Sequence, residues 1–139
     1  MIECVPQLTG KAARTMAEAA LNEADRLGCS VVVAVLDAGG HILLVQRGAG
    51  APPASIEVAR RKAETAVMFR MATSHLAHAA KENPTLASIP QMLPFEGGIP
   101  VIIDGHVAGA IGVSGALQHE DLACAEIGVA ALGLADRSS

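Results

Sequence analysis

The chain has no Trp, no Tyr and only two Phe, Phe69 and Phe95, in 139 residues. Proteins that hold single-stranded nucleic acid use aromatic rings as stacking platforms and basic grooves to follow the backbone. Here the formal net charge is −4, and the longest basic run is Arg60-Arg61-Lys62. A nucleic-acid role is therefore not expected. No apolar run approaches the about 20 residues that cross a bilayer, so no membrane role is expected either. The opening MIECVPQLTGKAAR lacks the basic segment and following apolar core of a secretory signal. Cysteines are few and odd in number: Cys4, Cys29 and Cys124, widely spaced, with no C-x-x-C and no C-x-x-C-H. That argues against a zinc knot and covalent haem attachment, and fits a reducing cytoplasmic location. His75 and His78 have a chelating i, i+3 spacing, but no Cys or carboxylate clusters with them, so no metal is expected.

What the chain has instead is small apolar residues. Apolar types make up 51%, with Ala and Val dominant, enough for one domain over residues 1–139. Small side chains let elements pack closely and leave apolar surface for a partner subunit, so a homo-oligomer is expected. Thr9 is a good N-cap for a helix that ends at Gly28. SVVVAVLD and HILLVQR, joined by Ala38-Gly39-Gly40, predict a hairpin with strands near 30–37 and 41–47. GAGAPPA (48–54) is a loop. Ser55 caps a second helix that the periodicity carries to about residue 80. The proline-bearing connection that follows has room for a short strand around 91–93. IPVIID and HVAGAIGV form a second hairpin turning at Asp104-Gly105, and the segment 119–136 is a last helix with acidic residues at its favourable end. The order α-β-β-α-(β)-β-β-α indicates an α+β fold on an antiparallel sheet.

Residues 97–115, GGIPVIIDGHVAGAIGVSG, hold six glycines in the most strand-like part of the chain. Gly105 is a turn residue. Gly109 and Gly112 are mid-strand, where a missing side chain admits either a packed helix or a ligand. Gly97-Gly98 and Ser114-Gly115 bracket the hairpin and converge at one end of the sheet, beside the last helix. Uncovered backbone N–H groups there would suit an anion or carbonyl. His119, Glu96 and Asp121 lie within reach of that end, and an imidazole beside a carboxylate is the minimum kit for proton transfer. Lys62 falls in the apolar stripe of the second helix. Either its stem snorkels past the core edge, or it holds a carboxylate or a ligand oxygen. Arg47, ending the second strand, is a further candidate for an acidic ligand.

Four segments resemble one known family: VAVLDAGGHILLVQR, SIEVARRKAETA, GGIPVIIDGHVAGAIGVSGA and the E-D-x-x-C-A at 120–125. From about Thr9 to Leu134 the chain is similar to the GlcG/HbpS-like family of haem-binding or haem-degrading-type proteins, which includes the PduO C-terminal domain. The resemblance implies a profilin-like α+β fold with a five-stranded antiparallel sheet flanked by helices, and assembly into dimers or larger rings. It implies haem as a candidate cofactor, and the recurrent K-A-x-T-A run around Lys62 strengthens its reading as a contact residue. One element departs from the pattern. R-G-A-G-A-P-P (47–53) stands where members carry R-M-D-G-A, which puts any ligand contact of that loop in doubt.

Two functions follow. The first is a small-molecule-binding protein that holds haem or a related tetrapyrrole as carrier or sensor. Its ligand-binding residues would be Arg47, Lys62, Gly97, Gly98, Ser114, Gly115, His119 and Asp121. The scarcity of aromatic residues weighs against it. The alternative is a cofactor-free enzyme of lyase or isomerase type, acting on a small carboxylated or aromatic catabolic metabolite. There His119, Glu96 and Lys62 would be the catalytic residues. A catabolic accessory role through the oligomer interface alone is a third.

Overall fold

Thr9 opens the first helix as its side chain predicts: its Oγ1 accepts the Ala12 N–H at 3.1 Å. Helix α1 (Gly10–Leu27) ends at Gly28, left-handed at φ 76°. In the computed structural model, which describes residues 1–134, there follow β1 (Val32–Asp37), β2 (Ile42–Arg47), α2 (Ala54–Phe69) and α3 (Thr73–Glu82). A 3-10 turn (Pro84–Ser88), β3 (Gly98–Ile103), β4 (His106–Ser114) and α4 (Gln118–Ala130) complete the order. The four strands form one antiparallel sheet in the order β2-β1-β4-β3. Both hairpins therefore form where their turn residues put them. Their inner strands, β1 and β4, pair from Val32↔Ser114 to Asp37↔Gly109.

Alternate residues of β1 serve two layers, because side chains of a strand point to opposite faces. Val33 and Val35 join the cluster under α1 and α4, with Met16, Ile111 and Val113. Val32, Ala34 and Leu36 face α2, with Ala59, Ala63 and Ala110. Helices cover both faces, which is why SVVVAVL is apolar throughout rather than alternating. Gly112 makes the α2 layer thin. A Cβ there would strike the Ala59 carbonyl oxygen and lie 2.7 Å from Ala63 N, so helix backbone rests directly on sheet backbone. At Gly109 the space belongs to Leu8 and the Leu36 carbonyl.

Four expectations need correction. The continuous helix to residue 80 is two helices, since Arg70 turns left-handed at φ 56° and α3 restarts at Thr73. Ser55 does not cap α2. It is buried inside the first turn, and Pro53 precedes the helix without a side-chain cap. The fifth strand is absent from the described residues: around 91–93 Gln91 has φ 66°, and Leu93 N–H donates to Thr65 Oγ1 on α2 at 3.1 Å. The segment is tied to a helix side chain, leaving no ladder to join. Helix α4 stops at Ala130 rather than running to 136; positions 135–136 lie outside the described residues.

Candidate functional site

The residues expected at the mouth of the second hairpin do come together. Val113 N–H donates to Gly97 carbonyl O at 2.9 Å, which joins the incoming and outgoing chains. Lys62, 2% exposed, reaches the same point from α2. Its ammonium donates to Val113 carbonyl O at 2.9 Å and to Asp121 Oδ2 at 3.0 Å. Asp121, also 2% exposed, comes from the first turn of α4, and its Oδ1 accepts the Ala116 N–H at 3.0 Å. Of the two readings of Lys62, the one that gives it a carboxylate describes the structure; the snorkelling one is corrected, because the ammonium is buried against Asp121 and the Val113 carbonyl. Burial pushes the Lys62 ammonium below its ordinary range, opposed by Asp121 and by the more distant Glu96. Burial pushes the Asp121 carboxyl up, opposed by Lys62 and the Ala116 N–H. Each ion is thus the condition for the other's charge.

This cluster explains the paired glycines. At Gly97 (φ 126°) a Cβ would sit 3.0 Å from the Lys62 ammonium, and at Gly98 it would strike the Lys62 carbonyl. The expectation of uncovered amides is not met at several positions. Gly98 N–H donates to Thr73 Oγ1 at 2.9 Å, Val113 N–H to Gly97, and Ala116 N–H to Asp121. Ser114 is buried opposite Val32, while Gly115 (φ 134°) is exposed, and a Cβ there would lie 2.7 Å from the Ser30 carbonyl oxygen. A buried ion pair occupies this mouth.

The other candidates stand apart. Glu96 is half-buried, and its N–H donates to Gln118 Oε1 at 3.0 Å. His119 is exposed, and no hydrogen bond joins it to Glu96 or to Lys62 among the described residues. Arg47 pairs across the sheet with Val32, which pairs in turn with Ser114. It lies at the same end but two strands away, about 10 Å. There it is exposed and lines a groove with Arg14, Glu18 and Asp25.

A different feature has the character of a ligand site. Along the free edge of β3, between the start of α3 and the second half of α4, runs a groove in two lobes. One, of about 430 Å³, is lined by Arg70, Met71, His75, Ile99, Val101 and Val129, among others. The second, of about 460 Å³, shares Ala72, His75, Ile99 and Val129 with it. Small-molecule pockets fall in this size range and combine apolar walls with a few polar groups. β3 can carry Pro100 because it is an edge strand. The Arg70 guanidinium and the His75 imidazole make no hydrogen bond or ion pair among the described residues, whereas His78 faces Glu82 at 3.6 Å. Arg70 occupies a helix C-cap conformation that favours glycine; a non-glycine residue there costs on the order of 1–3 kcal/mol. Sequence reasoning missed this groove, whose walls come from residues about 60 positions apart. No local signal marked it, because the helix break at Arg70 carries neither Gly nor Pro.

Residues 8–130 match the family model described as "Haem degrading protein HbpS-like". Protein GlcG of Escherichia coli K12 is 33% identical over 108 residues, 77% of this chain and 81% of that one. Among solved structures, a double mutant of Streptomyces reticuli HbpS superposes with a TM-score of 0.88 at 41% identity, covering 95% of this chain and 91% of that one. A structure described as a PduOC:Heme complex gives a TM-score of 0.82 at 28% identity, covering 90% and 94%.

Proposed function

The chain belongs to the HbpS-like family, and from that premise we propose that it is a small-molecule-binding protein whose ligand is haem or a related tetrapyrrole. The observation that carries this reading is the groove beside β3: apolar walls of Ile99, Val101, Val129 and Met71 with Arg70 and His75 at its rim, neither in a hydrogen bond or ion pair among the described residues. That donor set fits a flat apolar ring bearing carboxylates and a metal. The solved haem complex of a structural neighbour adds support. Bound haem would supply an iron centre. The chain's own part is to bury the ring, hold its orientation and limit water at one face. A role as carrier or sensor, and assembly into a dimer or larger ring, belong to the same proposal. Exposed Ile42, Ile56, Met68 and Leu117 offer apolar surface for such assembly.

The test is titration of purified protein with hemin, followed by absorbance. A saturable Soret band at a fixed stoichiometry, retained through gel filtration, is expected. Free-hemin spectra at every ratio would dismiss the reading.

A further inference from the structure

We propose that His75 supplies the axial ligand to the iron of a porphyrin seated beside β3, and that Arg70 pairs with its propionate carboxylates. This assignment rests on the haem reading above and gives it a place in the fold. His75 lines both lobes of the groove, so its imidazole adjoins the part the lobes have in common. It lies in the first turn of α3, whose start is pinned: Thr73, fully buried, accepts the Gly98 N–H of β3 at 2.9 Å. The exposed imidazole is therefore carried by a helix start that is anchored to the strand lining the groove. A neutral imidazole is a common ligand for iron. His78, one turn on, lines neither lobe and has Glu82 beside it.

Arg70 sits five residues before His75, at the opposite side of the helix break, and lines the first lobe with no hydrogen bond or ion pair among the described residues. A guanidinium matches a carboxylate with two parallel hydrogen bonds. Its left-handed backbone gives the position a specific meaning. Glycine would close α2 at lower cost, so the side chain, not the turn, accounts for arginine here. The groove then recognises three features at once: a planar apolar body, a carboxylate at its edge, and a metal that accepts nitrogen.

Three probes separate these features: hemin, iron-free protoporphyrin, and hemin dimethyl ester. Arg70→Gly removes the guanidinium while relieving the backbone, so its melting temperature is expected to equal or exceed that of the parent. Its affinity for hemin and for protoporphyrin should fall roughly five- to ten-fold, with no such loss for the ester. His75→Ala should shift the Soret band and weaken hemin, leave protoporphyrin within about two-fold of the parent, and regain the parent spectrum when free imidazole is added. His78→Ala should change nothing. A hemin complex whose spectrum ignores His75→Ala would overturn the assignment while leaving haem binding intact. An Arg70→Gly loss equal for acid and ester would overturn the carboxylate contact. Failure of the parent protein to bind hemin would remove both the assignment and the reading beneath it.

Discussion

Replacing Asp121 by Ala removes one half of an ion pair that is almost wholly out of water. The Lys62 ammonium would keep only the Val113 carbonyl, and the Ala116 N–H would lose its acceptor. Removing one partner of a buried pair costs about 3–5 kcal/mol, because the remaining charge is left uncompensated. Against a total stability of about 5–15 kcal/mol, this is a large fraction. At roughly 3–4 °C per kcal/mol for a chain of this length, the melting temperature should fall by roughly 9–20 °C. Far-UV circular dichroism during heating and urea titration is the assay, since the chain has no Trp to report by fluorescence. Lys62→Met with Asp121→Leu should cost much less than the sum of the single changes, as both desolvation penalties vanish together. The pH dependence has a definite sign. Without Asp121, the principal opposition to burial is gone and the Lys62 pKa drops further below its unfolded value. The unfolded state then binds more protons between that lowered value and about 10.4, so the variant gains stability as pH rises through this window. An Asp121→Ala protein within about 0.5 kcal/mol of the parent, or single and double variants that simply add, would refute the reasoning.

Further outcomes can be checked on the same preparations. Gly112→Ala should destabilise by about 1–3 kcal/mol or more by urea titration, because the new methyl meets the backbone of α2 at Ala59 and Ala63. Burial pushes the Asp37 carboxyl up, but the N–H groups of His41 and Gly39 and the His41 imidazole outweigh it and hold it below its ordinary value. Its contribution is therefore present above the unfolded value of about 3.9 and lost as pH falls through the folded one; Asp37→Asn should flatten the acid limb of the stability curve. Burial pushes the Cys124 thiol up to about 12 and raises Cys29 as well, while Cys4 is exposed. A thiol reagent at pH 8 should label Cys4 first and Cys124 only after unfolding, read by mass spectrometry of peptides.

The hairpins and the order of helices could be read in the sequence because their signals are local. Asp104-Gly105 and Gly39-Gly40 fix turns whatever lies around them, and Thr9 with Gly28 fixes both ends of α1. The break at Arg70 could not be read, since no Gly or Pro marks it and the apolar stripe continues through Phe69 and Leu76. The missing fifth strand depends on Thr65, whose hydroxyl takes the Leu93 amide from across the structure. At the candidate site, convergence of Gly97-Gly98 with Ser114-Gly115 followed from hairpin geometry. That Lys62 and Asp121, 59 positions apart, would meet and seal that mouth required knowing how α2 lies on the sheet. The groove at β3 was out of reach for the same reason: two hairpins do not reveal which strand ends up at the edge.

Amide hydrogen exchange with and without one equivalent of hemin tests the location of binding most directly. Slower exchange is predicted over Arg70–His75, along β3 and in the second half of α4, with the Lys62–Asp121 region unchanged. Protection confined to the loop at 48–53, or spread evenly over the chain, would contradict the groove as the place where ligand is held.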